Sequence, residues 1–421
     1  MPTPSLILVP ARFKTGKLYT PVATTSGGLV LGASGDFNVT RATTATRVNA
    51  SGLIESVASG IPRLDYFASG GVVGCPALLV EPGATNLFSG SADLGSTTYW
   101  TRPAGANITG NVSGIIAPDG TQTATLFQAS GTTATNSRLR QTWSRTTTGA
   151  HAMSVFVRGF AGVAASGAVV CGVGASELNF AITSGGVVTL TSMTGGAAAV
   201  TSGIVNYGNG WYRITAVGTA ATSGSTQSEL YCSPSGGPQY YAWGAQIETG
   251  SVATSYIPTT TAPITRNADV INLSGAVSGC VGQTEGVLYM EFQASPSGTA
   301  SAWFNLSDGT ANNWIFIGKE SGNARVYLRA NNNVLFSNTS VALTGGVVKA
   351  AVAYKTGDFC AFVNGNSVVS GTTAFTFSSS LNSLHTGAQV AQATGETIRI
   401  RAAAIYTTRL TNAQLAALTT L

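Results

Sequence analysis

An all-β fold is what this sequence predicts, and three observations carry that reading. Charged residues make up only 9% of the 421, against a usual ~25%. The balance is rich in Ser, Thr and Asn and includes 52 glycines, a mixture that starves helices of their best formers and suits short strands joined by tight turns. The second observation is alternation with a period of two, as in AMSVFVRGF at 152–160, the spacing of a half-buried strand. The third is a supply of two-residue hairpin signals, Asn209-Gly210 and Asn364-Gly365. A chain of this length has room for two or three domains, each with its own core.

Residues 1–88 open with short strand-like pieces, SLILVPARF, GKLYTPV and GGLVLG, each ended by Pro or Gly. They cannot bury a core of their own, so this part is expected to be an extended docking segment lying on neighbouring domains or subunits. Its densest stretch runs from Arg41 to Phe88 and holds Arg41, Arg47 and Arg63 beside Glu55, Asp65 and Glu81. An echo follows at Trp243–Leu273, where Glu248-Thr-Gly-Ser-Val-Ala-Thr254 parallels Glu81-Pro-Gly-Ala-Thr85, and Ile264-Thr-Arg266 parallels Val39-Thr-Arg41. The two stretches bracket whatever folds between them. Partly buried arginine–carboxylate pairs would pin an extended segment in one register. Arg41, Arg47, Arg63 and Arg266 are therefore expected to pair with Glu55, Asp65, Glu81, Glu248 and Asp269 as structural ion pairs.

Residues 89–258 alternate clearly and predict a jelly-roll β-sandwich of the carbohydrate-binding-module type. Met153, Val155 and Val157 fall on one face of their strand and Ser154, Phe156 and Arg158 on the other. Likewise Tyr212, Ile214 and Ala216 oppose Trp211, Arg213 and Thr215, and QYYAWGAQIE puts Tyr241, Trp243, Ala245 and Ile247 on one side. Pro118-Asp-Gly120 marks a turn between strands. Residues 259–275, opening with Thr259-Thr-Thr-Ala-Pro263, read as a polar linker. From 276 to 421 regularly spaced strands resume, including EGVLYMEFQA, NWIFIGKE and ARVYLRAN, and predict a second sandwich. A short helix closes the chain, with Thr411 and Gln414 at capping-box spacing and Leu410 and Leu415 placed as a hydrophobic staple.

Two resemblances follow from these residues. RATTATRVN and GLIE (Arg41–Glu55), PRLDY (62–66), CPALLVEP (75–82), ATNL (84–87), WGAQ (243–246) and ATSYIPT (253–259) together resemble a module of tailed-bacteriophage virion proteins. The likeness covers about Ser5 to Leu273. It implies a structural part of a phage particle, either a tail fibre or receptor-binding appendage or a fibre or decoration protein on the capsid. It also implies a homo-oligomer, commonly a trimer, attached to other virion proteins through the N-terminal segment. The order of strands after 276, ending in YTTRLTNAQLAALT, resembles the concanavalin A-like, laminin-G-type sandwich and implies adhesion to host surface polysaccharide.

The sequence narrows the chemistry further. The net charge of +5 is spread over 421 residues without a basic run, which argues against a nucleic-acid partner. A surface this poor in charge fits permanent packing against copies of itself. Cys75, Cys171, Cys232, Cys280 and Cys360 are odd in number and lack a CxxC pair, so they are expected to be free, buried thiols of a protein made in a reducing host cytoplasm. The start has only a short apolar run ended by Pro10, neither a signal peptide nor a membrane span.

No catalytic residues, cofactor or metal are expected. A polysaccharide depolymerase would need two acids roughly 5–9.5 Å apart; Glu285 and Glu291, six residues apart on one strand, stand about 20 Å apart. His151 and His385 have no partner at ligand spacing and read as surface or packing residues. The glycine clusters GASG (32–35) and GNGW (208–211) lack the strand–loop–helix context of a phosphate loop. Asp308-Gly309 offers one acid to a Ca²⁺, too few for a firm site. For glycans, Arg325, Tyr327 and Arg329 share one face of their strand, and Arg399 and Arg401 point outward in theirs. Such a face could stack on sugar rings and fork onto acidic groups, or could simply be a solvated sheet face carrying the chain's few charges. Trp303 and Trp314 are expected in the core.

Overall fold

The computed structural model describes every residue except 1, 20–21, 24–28, 31–35, 69–70, 104–105, 130–136, 175, 196–202, 234–238, 275–276, 299 and 388–392. Among the described residues the chain is all-β, two sandwiches with one short α-helix, Asn412–Thr419, and a 3₁₀ turn, Ser278–Cys280. The first sandwich pairs a six-stranded with a five-stranded antiparallel sheet, both drawn from between Asn107 and Thr249. The second pairs a ten-stranded with a nine-stranded sheet.

That second sandwich is not a continuous piece of chain. Leu6–Leu8 lies antiparallel to the last strand, Ile398–Tyr406, and Leu78–Val80 pairs with the same strand further along. Phe37–Thr40 pairs with Val270–Ser274 in the opposite sheet. Leu6, Leu8, Phe37, Val39, Leu64, Leu78 and Val80 then join Leu288, Phe304, Ile317, Leu328 and Ile400 in one buried core. The leader has no core of its own, as its short pieces predict, and it settles on the C-terminal sandwich by supplying strands to both sheets. The sandwich is therefore completed from both ends of the chain, and the jelly roll is an insertion into it. Ala84–Asn86 and Ile264–Arg266, where the chain enters and leaves the insertion, lie side by side as an antiparallel pair.

Three expectations are corrected here. The stretch read as a linker, 259–275, carries the strands Ile264–Arg266 and Val270–Ser274, because both have partners in the leader. The face assigned to Tyr241, Trp243, Ala245 and Ile247 is not one face. Gly244 has φ 65 and the pairing with Gly149–Gly159 slips by one residue there, a bulge that reverses which side chains point inward. Tyr240, Ala242, Ala245 and Ile247 enter the core between the sheets, while Tyr241 and Trp243 face outward. Finally, Cys75 is exposed and Cys280 only half-buried, since Gly74-Cys75-Pro76 lies in a second irregularity, between Val72 and Ala77.

Both outward faces are partly roofed. The hairpin Ala45–Val48/Ile54–Val57 sets Val48 and Ile54 on Phe156, Trp211, Trp243 and Tyr256. The helix, capped by Thr411 with Gln414 in a capping box, seats Leu410 and Leu415 on Tyr289, Phe362 and Tyr406. The hairpin turns form as the sequence predicts. Asn209 and Gly210 have φ 53 and 78, and Asn364 and Gly365 have φ 49 and 82, the left-handed values that a type I′ turn requires. GASG lies outside the described residues.

Candidate functional site

Where leader, jelly roll and second sandwich meet, the echoing stretches build a buried charge hub. Asp269 accepts from Arg41 Nη1 at 2.9 Å, from the Glu81 backbone N–H at 3.0 Å, and from Arg63. Arg63 also donates to Glu81 at 2.7 Å, Arg266 lies 3.4 Å from Glu81, and Arg399 donates to Asp65 at 2.7 Å. The Arg41 guanidinium further closes on the carbonyls of Thr43, Ile61 and Ala58. Burial alone would push Glu81 up, but Arg63 and Arg266 outweigh it and hold the carboxyl well below its usual range. Arg47 and Glu55 pair at 2.7 Å on the roofing hairpin, at the solvent edge.

Glu248 is the exception among the expected pairs. Its oxygens accept from Gln246 at 2.6 Å and from the Thr254 N–H and hydroxyl, each at 2.8 Å, and no arginine reaches it. Burial pushes its pKa up. The echoed acids Glu81 and Glu248 thus hold adjacent residues of one turn, since Glu81 accepts from the Ser255 N–H at 2.9 Å and Ser255 Oγ at 2.7 Å.

The five residues considered for glycans divide among three places. Arg325, Tyr327 and Arg329 do share the outer face of the nine-stranded sheet. There Trp303, Phe316 and Tyr327 stand upright across three adjacent strands, with ring centroids 4.7 Å apart at each step, and Trp314 lies 5.0 Å from Phe316. Trp303 and Trp314 are therefore on this face, half-buried, and not in the core, whose positions go to their neighbours Ala302, Phe304, Leu306, Ile315 and Ile317. The rings spend their faces on one another, and Arg325 is tied to Glu320 and to Ser337 Oγ at 3.0 Å. Arg399 belongs to the hub, and Arg401 pairs with Glu291 at 3.0 Å on the other sheet.

Other candidate chemistry is similarly accounted for. Glu285 pairs with Lys355 at 3.4 Å. Asp308 accepts from Thr310, Asn313 and Ser379, which together hold it below its usual range. Among the described residues no cluster of three His, Cys, Asp or Glu could hold a metal. His151 and His385 are both buried; His385 Nε2 lies 3.2 Å from Ser307 Oγ, and desolvation pushes its pKa down to about 4.

Two open surfaces remain, and neither was singled out by the sequence. The first is a groove of about 300 Å³ on the outer face of the five-stranded sheet. Strand register aligns Tyr231, Ala168, Asn179 and Ser192 in one row across it and continues the row to Arg138 on the next strand, beside the groove. Arg138 lies 4.7 Å over the Tyr231 ring and is braced by Glu229 at 3.3 Å. The second is a cleft of about 390 Å³ between the sandwiches, lined by Val205, Tyr207, Arg213 and Thr215 on one wall and by Gln293–Pro296 and Thr344-Gly345 on the other. Alternation alone could have flagged Tyr231, Arg138 and Arg213 as outward-facing, but no local pattern aligns them across strands.

No family model matches this sequence and no curated protein matches it. Among solved structures, the carbohydrate-binding module (CBM40) of a Ruminococcus gnavus intramolecular trans-sialidase bound to α2,6-sialyllactose is 13% identical, with a TM-score of 0.30, over 34% of this chain and 87% of that one. Domain 4 of the extracellular arabinanase AbnA from Geobacillus stearothermophilus, in complex with arabinotriose, is 19% identical with a TM-score of 0.28, over 36% and 73%. A structure of botulinum neurotoxin type C, a toxin whose cell entry depends on interaction with two ganglioside molecules, is 11% identical with a TM-score of 0.29, over 36% and 39%.

Proposed function

We propose that this protein is a non-enzymatic adhesion component of a tailed-phage particle, a tail fibre or receptor-binding appendage that binds glycans on the host surface. The observation that carries the glycan reading is the groove row Arg138–Tyr231–Ala168–Asn179–Ser192. It offers the Tyr231 ring, one face of which Arg138 covers, a floor made flat by Ala168, and amide, hydroxyl and guanidinium donors along one strip. Sugars are bound by that combination, an apolar ring face met by few but well-placed polar groups.

The virion assignment rests on the motif resemblance of Ser5–Leu273, and the low surface charge agrees with assembly into a homo-oligomer. A binding role, as opposed to a depolymerase, is favoured by the state of the acids: ten of the 16 sit in ion pairs.

The test is glycan-array binding and host-adsorption blocking by the purified full chain. Tyr231→Ala and Asn179→Ala are each expected to weaken binding at least tenfold while leaving the melting temperature within a few degrees. Wild-type binding unaffected by both substitutions, or shortened polysaccharide after incubation, would sink the reading. Immunogold labelling of particles separates tail from capsid placement.

A further inference from the structure

The inter-sandwich cleft has a feature that the groove lacks. Arg213 is 6% exposed and has no carboxylate partner. Nη1 donates to the Thr254 carbonyl at 2.6 Å and Nη2 to Ser154 Oγ at 2.8 Å, while buried Nε finds no partner. A buried guanidinium without a counter-charge is costly, and proteins ordinarily pair it.

The local charge count makes the imbalance concrete. Arg41, Arg63, Arg213, Arg266 and Arg399 are five cations, against the carboxylates of Asp65, Glu81, Asp269 and Glu248. Glu248 stands behind the Thr254 peptide with its oxygens already occupied; burial pushes its pKa up, against the pull of the Gln246 and Thr254 donors and of Arg213 through space. Asp65, Glu81 and Asp269 are engaged by Arg41, Arg63, Arg266 and Arg399. The cations exceed the carboxylates by one, and Arg213 is the one of the five without a carboxylate at ion-pair distance among the described residues; Glu248 attracts it only through space, and the Phe156 ring centroid lies 5.3 Å from it.

The remaining lining suits a sugar more than a bare anion. Thr215, Thr254, Ser255, Ser295 and Thr397 bring hydroxyls and Gln293 an amide, while Glu81 and Arg399, which also line the cleft, are each already held in an ion pair. Phe67 and Tyr207, with ring centroids 4.4 Å apart, supply an apolar side. A volume of about 390 Å³ is within the range of small-molecule sites.

From these observations we infer that the cleft is a second binding site, one that takes the carboxylate-bearing residue of an acidic glycan, with the carboxylate against Arg213 and the ring between the two sandwiches. It uses residues distinct from the groove, so either site can fail without the other.

The test compares methyl glucuronide with methyl glucoside, which differ at one carbon in bearing a carboxylate or a CH₂OH, by calorimetric titration of the full chain. The glucuronide is expected to bind at least tenfold more tightly. Arg213→Gln should abolish that preference. Val205 faces Arg213 across adjacent strands, so Val205→Trp should fill the cleft and block both sugars while leaving Arg213 in place. Tyr231→Ala should leave the preference intact. Equal binding of the two sugars, no binding of either, binding of acetate as tight as of glucuronide, or a preference that survives Val205→Trp would each overturn the proposal. The Val205 variant keeps the test decisive if Arg213→Gln does not fold.

Discussion

The arginines of the hub and those at the surface share one chemistry and differ in surroundings. The side chains of Arg41 and Arg63 have no exposed area, whereas Arg47 and Arg325 each keep 20% of theirs in water, beside acids that are also partly exposed. An ion pair at the surface exchanges solvation for attraction nearly evenly, worth about 0–1 kcal/mol. A buried pair cannot lose one member without stranding the other, at about 3–5 kcal/mol. The hub therefore acts as a lock on architecture, while the surface pairs add little to it.

The comparison is tested most severely at Arg63. Arg63→Met removes the bridge between the two acids, leaving Glu81 with Arg266 alone and Asp269 with Arg41 alone as arginine partners, and is expected to lower unfolding free energy by about 3–5 kcal/mol, read from urea denaturation at pH 7. A loss below about 1 kcal/mol would place the hub with the surface pairs. Because Glu81 is held below its ordinary range, the stability it contributes is present above the unfolded carboxylate pKa and is lost as pH falls beneath it.

A second buried group tests the same idea in the opposite charge sense. His385 is kept neutral by burial, with a folded pKa near 4 against an ordinary 6.5. The unfolded chain takes up a proton first as pH falls, so the contribution is full above 6.5, declines between 6.5 and 4, and amounts to about 3 kcal/mol. His385→Gln should flatten the difference between urea midpoints at pH 7.5 and pH 4.5. An unchanged difference would mean that the ring is charged or hydrated in the fold. The smallest effects belong to the surface: Arg47→Ala and Arg325→Ala should each cost less than about 1 kcal/mol, and a loss of 2 or more at Arg325 would mark the aromatic face as structural.

Much of this was legible from local pattern. Alternation located the strands, Asn-Gly pairs located two hairpins, and the Thr411–Gln414 spacing located the helix start. The density of Arg41, Arg63, Glu81, Arg266 and Asp269 announced a charge cluster, because so few charges occur elsewhere. What stayed hidden depends on register and long-range pairing. The Gly244 bulge inverts a strand's faces through one extra residue, and nothing in QYYAWGAQIE marks it. Ser5 donates its backbone N–H to Ile405 across 400 positions, a pairing that no window of sequence displays. Size misled at Trp303 and Trp314, which alternation sets on the face opposite Ala302, Phe304, Ile315 and Ile317. The buried Lys319–Glu396 pair at 2.5 Å, the Tyr231 row and the cleft around Arg213 arise only once strands lie side by side.

The neighbouring strands Ala84–Asn86 and Ile264–Arg266 have a consequence for how such proteins diversify. Their backbones, as antiparallel partners, stand roughly 5 Å apart, so the jelly roll departs from and rejoins its host at nearly a single point. A different head of any size could be grafted at that socket while the frame below kept every strand it has, which turns one scaffold into a mount for interchangeable domains.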